Sequence, residues 1–236
     1  MDLTYELKEQ MKAHAVEQYP LEACGIVAGG VYVPQNNTAA DPRSDFALPA
    51  RTFADYDVEA VFHSHPDAEA APTEADMKSQ IETAVPWILC ESYSDHATDP
   101  FMWGGSYIPP LIGRTFRHGP SGTDDAGDCY ALIKDWYKLE QGVELPEFPR
   151  SNEWWKRGGH LYIDNLKAAG FCIVQVGNEP QIGDVALMAI NSKEINHAAI
   201  YIGNGLILQH LTNRLSRRDP AALWAKQIKM WVARDA

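Results

Sequence analysis

Positive charge is in short supply in this sequence. Its 236 residues carry 20 Lys plus Arg against 32 Asp plus Glu, a formal net charge of −12 at pH 7 and a pI near 5.0. Phosphate backbones and anionic lipid surfaces are bound by basic faces, so a general nucleic-acid binder and a polybasic membrane binder are excluded as expectations. Cysteine is also sparse. Cys24, Cys90, Cys129 and Cys172 are widely spaced and form no CxxC, which argues against a disulfide framework or a Cys-rich zinc knuckle. No apolar run reaches the roughly 18–20 residues of a membrane span. The opening MDLTYELKEQ has neither a basic n-region nor an apolar h-region, so no secretory signal peptide is expected there.

What remains is ordinary globular material: 45% hydrophobic and 22% charged residues, enough to bury a core. The acidity is uneven. Residues 1–108 hold 5 basic and 18 acidic side chains, residues 109–236 hold 15 and 14. The Gly/Pro-rich segment Trp103–Pro110 lies between them and reads as a boundary. Two domains are therefore expected, 1–108 and 109–236.

In the first half, residues 4–18 read as a helix with Leu7, Met11 and Ala15 on one face, ended by Pro20. Gly25–Val33 reads as a hairpin broken at Gly29–Gly30, Pro34–Pro49 as loop, Thr73–Thr83 as a helix and Pro86–Cys90 as a buried strand. In the second half, Gly119–Gly127 reads as loop and Cys129–Leu139 as a helix, with Trp154–Ala169 partly helical. Strands are predicted at Cys172–Val176, Asp184–Ile190, His197–Ile202 and Leu206–Leu211, the last two joined by Gly203-Asn204-Gly205. Helices followed by a run of strands point to an α+β fold.

Two constellations carry chemistry. The first is His63-Ser64-His65-Pro66; seven residues separate His65 from Thr73, and Asp76 stands three beyond. Residues two apart on an extended segment face the same way, so His63 and His65 can offer two imidazoles to one ion. Asp76 can add a carboxylate, and three such ligands suit Zn²⁺ with one position open. Taken alone, Thr73-x-x-Asp76 is a helix capping box. With Glu22 upstream, the pattern resembles the JAMM/MPN metalloproteases over roughly residues 1–105. That resemblance implies a cytidine-deaminase-like α/β domain, zinc on His63, His65 and Asp76, and Glu22 as general base. It places Thr73 where the family has Ser, its hydroxyl directed at a developing oxyanion.

The second is Asp128-Cys129-Tyr130, where a Gly/Asp loop meets a helix. Asp128 is a candidate N-cap, and Cys129 falls in the first turn, where the helix dipole favours a thiolate. The other three cysteines lie in or beside apolar runs and read as small buried hydrophobes. With Gly183-Asp184-Val185 and His197-Ala198-Ala199-Ile200-Tyr201-Ile202-Gly203-Asn204-Gly205, the motifs resemble the NlpC-type, papain-like cysteine peptidases over roughly residues 110–215. This implies an α+β domain with Cys129 as nucleophile and His197 as base. The third residue is Gln209, with His210 as the alternative. Phe116 stands where relatives often carry Tyr, so a phenol donor is expected to be missing.

A JAMM-like domain followed by an NlpC-type domain resembles the tail-tip proteins of long-tailed phages, the lambda K group, over nearly the whole chain. The resemblance implies a virion component made in the host cytoplasm, with other tail-tip proteins as partners and cell-wall stem peptides as substrate. The alternative it leaves is a structural tail-tip subunit with one or both sites inactive. A cytosolic isopeptidase acting on ubiquitin-like tails would leave the second domain without a role.

Overall fold

Thr4 opens the first helix, α1 (Tyr5–Gln18), its hydroxyl accepting from the Leu7 N–H at 3.3 Å, which satisfies one of the orphan donors of a helix start. Leu7, Met11 and Ala15 share the buried face, joined by His14. The computed structural model describes residues 1–174 and 179–235. Two compact units emerge: Met1–Tyr107 with Gly122–Asp124, and Ile108–Ser121 with the chain from Asp125 onward.

In the first unit, β1 (Cys24–Ala28) and β2 (Val31–Gln35) form a hairpin turning at Gly29 and Gly30, with φ of 59° and 73°, values glycine adopts at little cost. A one-turn helix, α2 (Thr52–Asp55), precedes β3 (Val58–Pro66). β3 runs antiparallel to β1 with Cys24 opposite His63. Helix α3 (Glu74–Thr83) then carries the chain to β4 (Trp87–Ser92), which lies parallel to β3, as a parallel neighbour requires such a crossover. β5 (Phe101–Trp103) completes a five-stranded sheet in the order β2-β1-β3-β4-β5.

Alternation along the strands divides the core. Phe62 and Ile88 pack with Leu7 and Met11 of α1, while Val61 and Leu89 pack with Trp87, Phe101 and Trp103. Strand β5 was not foreseen, because three residues show no usable period. Trp103, expected to begin a linker, is instead core at 1% exposure. Gly122–Asp124 joins this unit through Thr123, whose N–H donates to the Met102 carbonyl and whose hydroxyl accepts from the Met102 N–H, both at 3.0 Å.

The second unit begins with a short parallel pair, β6 (Thr115–Phe116) and β7 (Ala126–Gly127), where a plain loop was expected around Gly127. Helix α4 (Cys129–Gln141) follows and ends at Gly142, φ 66°. A 3₁₀ turn at Trp154–Arg157 and the one-turn helix α5 (Leu161–Asp164) are the helical parts of the predicted 154–169 segment. Then come β8 (Phe171–Ile173), β9 (Val185–Met188), β10 (His197–Gly203), β11 (Leu206–Gln209), β12 (Arg217–Pro220) and β13 (Ile228–Arg234). They form an antiparallel sheet in the order β12-β11-β10-β9-β13-β8. Of the strand predicted at Cys172–Val176, Gln175 and Val176 lie outside the described residues. The strand predicted to Leu211 stops at Gln209.

Helix α4 covers one face of this sheet: Leu132, Ile133, Trp136 and Tyr137 pack on Val185, Leu187, Ala198, Ile200 and Leu208. Ala186, Met188, Ala199 and Ile207 form the other face. Strands β12 and β13 were missed. Arg217-Arg218-Asp219-Pro220 reads as a charged turn, and Ile228–Arg234 mixes charge into its alternation. Cys172 is exposed, against the expectation of burial. It lies on β8, the edge of the sheet, where only Phe171 of the strand is buried.

Candidate active sites

The first site gathers where β3 ends and α3 begins. In β3, His63 and His65 point the same way, and their Nε2 atoms stand 3.2 Å apart. Asp76, in the first turn of α3, brings Oδ1 to 3.4 Å from His63 Nε2 and Oδ2 to 3.6 Å from His65 Nε2. One ligand atom from each residue lies within 4.8 Å of the others, and all three residues are buried. The ring of His63 stacks on Phe46 with centroids 4.6 Å apart and meets Trp87 and Trp103 edge-on. His65 Nδ1 lies 3.1 Å from the Glu69 carbonyl. A carbonyl only accepts, so the proton is on Nδ1 and the Nε2 lone pair faces the site.

Thr73 is the N-cap of α3. Its N–H and hydroxyl both donate to Asp76 Oδ2, at 2.7 and 2.8 Å, and its oxygen accepts from the Asp76 N–H at 3.1 Å. This capping box fixes Asp76, and it also spends the hydroxyl proton that an oxyanion would need. Glu22 precedes β1. Continuing the Cys24–His63 register by two residues sets Glu22 against His65. The neighbouring Ala23 is pinned to Ser64 by two bonds of 3.0 Å, one through the Ser64 hydroxyl. Burial pushes the Glu22 carboxyl up to about 7 against the pull of His65. Burial would raise Asp76 too, but the two imidazoles hold it well below the usual carboxylate range. Two imidazole nitrogens and one ionised carboxylate oxygen, converging beside the rings of Phe46, Trp87 and Trp103, fit a divalent zinc ion in type, number and spread.

The second site lies at the start of α4. Asp128 is the N-cap, accepting from the Ala131 N–H at 2.9 Å and the Gly119 N–H at 3.1 Å. Arg150 grips both its oxygens, Nε to Oδ2 at 2.6 Å and Nη2 to Oδ1 at 3.1 Å. Both partners are buried. Burial would raise the Asp128 carboxyl, and the Arg150 guanidinium overrides it and holds the group below its ordinary value.

Cys129 is half-buried in the first turn of α4. Its Sγ is 3.1 Å from Tyr162 Oη of α5 and is hydrogen-bonded to the backbone of Ala198, the residue after His197. Burial, reinforced by the Asp128 charge, pushes the thiol up to about 11, with the Tyr162 and Ala198 bonds opposing. His197 Nε2 is 3.0 Å from Gln209 Oε1 across the β10–β11 hairpin. Burial pushes His197 down to about 4 against that bond. Burial thus favours the neutral form of both the Cys129 thiol and the His197 imidazole. Of the two candidates for the third position, it is Gln209 that meets His197. His210 turns to the opposite face, edge-on to Phe116 at 5.3 Å.

Three residues near this site were not singled out from the sequence. Tyr162 supplies a phenol where Phe116 had suggested none, Arg150 closes the Asp128 cap, and Asp219 accepts from Gln209 Nε2 at 2.7 Å. Of these, Tyr162 alone lies in a segment predicted to be partly helical, where its ring meets that of Trp154 with centroids 6.0 Å apart.

Residues 98–233 match the family model of the NlpC/P60 family, and residues 4–103 match that of prokaryotic homologs of the JAB domain. The tail tip assembly protein K of Escherichia phage lambda is 38% identical over 163 residues, spanning 69% of this chain and 74% of that protein. The protein of the same description from Escherichia phage N15 is 29% identical over 236 residues, spanning 96% of this chain and 93% of its own. Among solved structures, NlpC1 from Trichomonas vaginalis is similar with a TM-score of 0.37 at 15% identity, covering 51% of this chain and 38% of that one, a likeness too remote to add weight. With more than half of its length matched by the family model, the chain belongs to the NlpC/P60 family and carries a JAB-like domain ahead of the matching region.

Proposed function

We propose that this chain is a phage tail-tip component that hydrolyses peptide bonds of cell-wall stem peptides at the Cys129 site. The observation that carries the reading is the placement of Cys129 at a helix start beside β10, with His197 bonded to Gln209. In the proposed reaction, Sγ attacks the scissile carbonyl carbon and the thiol proton passes to Nδ1 of His197. That proton then goes to the leaving amine nitrogen as the C–N bond breaks, and water hydrolyses the thioester through the same imidazole. The Cys129 backbone N–H at the start of α4 and the Tyr162 phenol are the donors assigned to the oxyanion. The similarity to tail tip assembly proteins K supports placement in the virion with other tail proteins.

At the first site, His63, His65 and Asp76 are the residues assigned to hold zinc. A zinc ion bound there would supply an acidified water and a Lewis acid for a second hydrolysis. Glu22, set against His65, is the carboxylate assigned to take and return the proton, and Thr73 positions Asp76. The commitment of the Thr73 hydroxyl to Asp76 favours a second reading for this domain alone, a zinc-holding assembly module without turnover.

Purified protein incubated with isolated stem peptides tests the proposal, the fragments being read by mass spectrometry. Cleavage that Cys129→Ala reduces by about 10³-fold or more supports the thiol reaction; equal cleavage by both removes it. Elemental analysis should find zinc in the parent chain and none in His63→Ala.

A further inference from the structure

We propose that Asp219 is a positioning residue of the thiol site, which acts through the Gln209 amide to fix which ring nitrogen of His197 carries the proton. The inference rests on the thiol-site reading above and extends it by one residue.

A glutamine amide offers an acceptor on one side and two donors on the other, and its surroundings decide which way it faces. Gln209 lies between two partners, His197 Nε2 at 3.0 Å and Asp219 Oδ2 at 2.7 Å. A carboxylate can only accept, so the NH₂ must face Asp219, in a charge-assisted bond. The amide oxygen is then left for His197. An amide oxygen can only accept, so His197 Nε2 must carry hydrogen. In a neutral imidazole this leaves the lone pair on Nδ1, the nitrogen assigned to take the thiol proton. Turning the amide over would set its oxygen against the carboxylate and its NH₂ against the ring N–H, opposing both contacts at once.

The strand register delivers this arrangement. Gln209 pairs with Arg217, so Asp219 is its diagonal neighbour on the same face of β11 and β12. Arg217 Nε donates to the same Oδ2 at 3.1 Å, anchoring the carboxylate. Gln209 is 1% and His197 5% exposed, so water does not compete for either end of the amide. The burial that keeps His197 neutral at pH 7 also makes its tautomer the relevant state.

The test is the ¹⁵N spectrum of the imidazole of His197 in the full chain at pH 7, its signals assigned by their loss in His197→Asn. The parent should show the Nε2–H form alone. Asp219→Ala frees the amide and should give a mixture of tautomers. Asp219→Lys replaces the acceptor by donors and should move the proton to Nδ1. Asp219→Asn still offers one oxygen to Gln209 and Arg217, and should restore the parent spectrum. In peptide hydrolysis, kcat should fall roughly tenfold in Asp219→Ala with KM held, and in Asp219→Lys approach the roughly 10⁴-fold loss of a triad kept in the wrong tautomer. A parent ring protonated at Nδ1, or a ring unchanged in both Asp219→Ala and Asp219→Lys, overturns the proposal. Since the spectrum is read with or without turnover, a chain that cleaves no peptide counts against the thiol reaction and leaves the tautomer result to be judged separately.

Discussion

Replacing Arg150 by Met is the most severe test of how the thiol site is held. Arg150 makes two bonds to Asp128, donates to the Phe148 carbonyl at 2.8 Å and also pairs with Glu147. Met keeps much of the length and removes every donor. Asp128 would then be a buried carboxylate without its counter-charge, and removing one member of a buried pair costs about 3–5 kcal/mol. With a urea slope of roughly 2 kcal/mol/M, the unfolding midpoint of the second unit falls by about 2 M. The pH dependence gives a sharper mark. In the parent, Asp128 titrates below its unfolded value, so its contribution is present above that value and fades as pH falls through the folded one. In Arg150→Met, burial acts unopposed and raises the carboxyl, so protonation relieves the variant. The stability gap should therefore be widest at neutral pH and narrow toward pH about 4. Adding Asp128→Asn, which still caps a helix, should recover most of the loss. A gap under about 1 kcal/mol at pH 7, or one that does not change with pH, refutes the argument.

Tyr162→Phe removes the phenol 3.1 Å from Sγ; kcat should fall by about 10²-fold if it serves the oxyanion, and iodoacetamide alkylation of Cys129 should shift to higher pH, since that bond opposes the upward push on the thiol. An unshifted alkylation profile would show that the phenol does not act on the sulfur. Hydrolysis by the parent should rise as pH climbs through about 4, where His197 loses its proton, and stay level through neutrality; an acid limb near the ordinary histidine value of about 6.5 would contradict the burial argument. Thr73→Ala removes the cap and one donor to Asp76, which should cost the helix about 1 kcal/mol and weaken zinc binding by about tenfold, measured by competition with a metal indicator. Unchanged zinc affinity would detach Thr73 from the ligand set.

The parts of the sites that could be read from the sequence are those joined by local geometry. His63 and His65 share a strand face, and Asp76 follows from the capping pattern at Thr73. Gln209 is connected to His197 by a hairpin whose Asn204-Gly205 turn sets the pairing. Glu22 was reached through a resemblance, because a strand register between β1 and β3 has no local signature. Tyr162, Arg150 and Asp219 were illegible for a common reason. Each approaches its partner through tertiary packing, from a one-turn helix, an irregular segment and a charged edge strand. Cys172 shows the converse error: apolar neighbours in sequence suggested burial, and the position of β8 at the end of the strand order decides its exposure.

Thr123 lies beyond Ile108 in the chain but belongs to the first unit, where both its backbone N–H and its hydroxyl satisfy Met102 of β5. β5 is the last strand in its sheet order. A chain cut at Ile108 to isolate the half that holds His63, His65 and Asp76 would strip that strand of its cover, baring a polar margin beside Phe101 and Trp103. Bare strand margins recruit other strands. Such a fragment should therefore self-associate unless its end is moved beyond Asp124, and a failure of the shorter piece to stay monodisperse would say nothing about whether His63, His65 and Asp76 bind a metal.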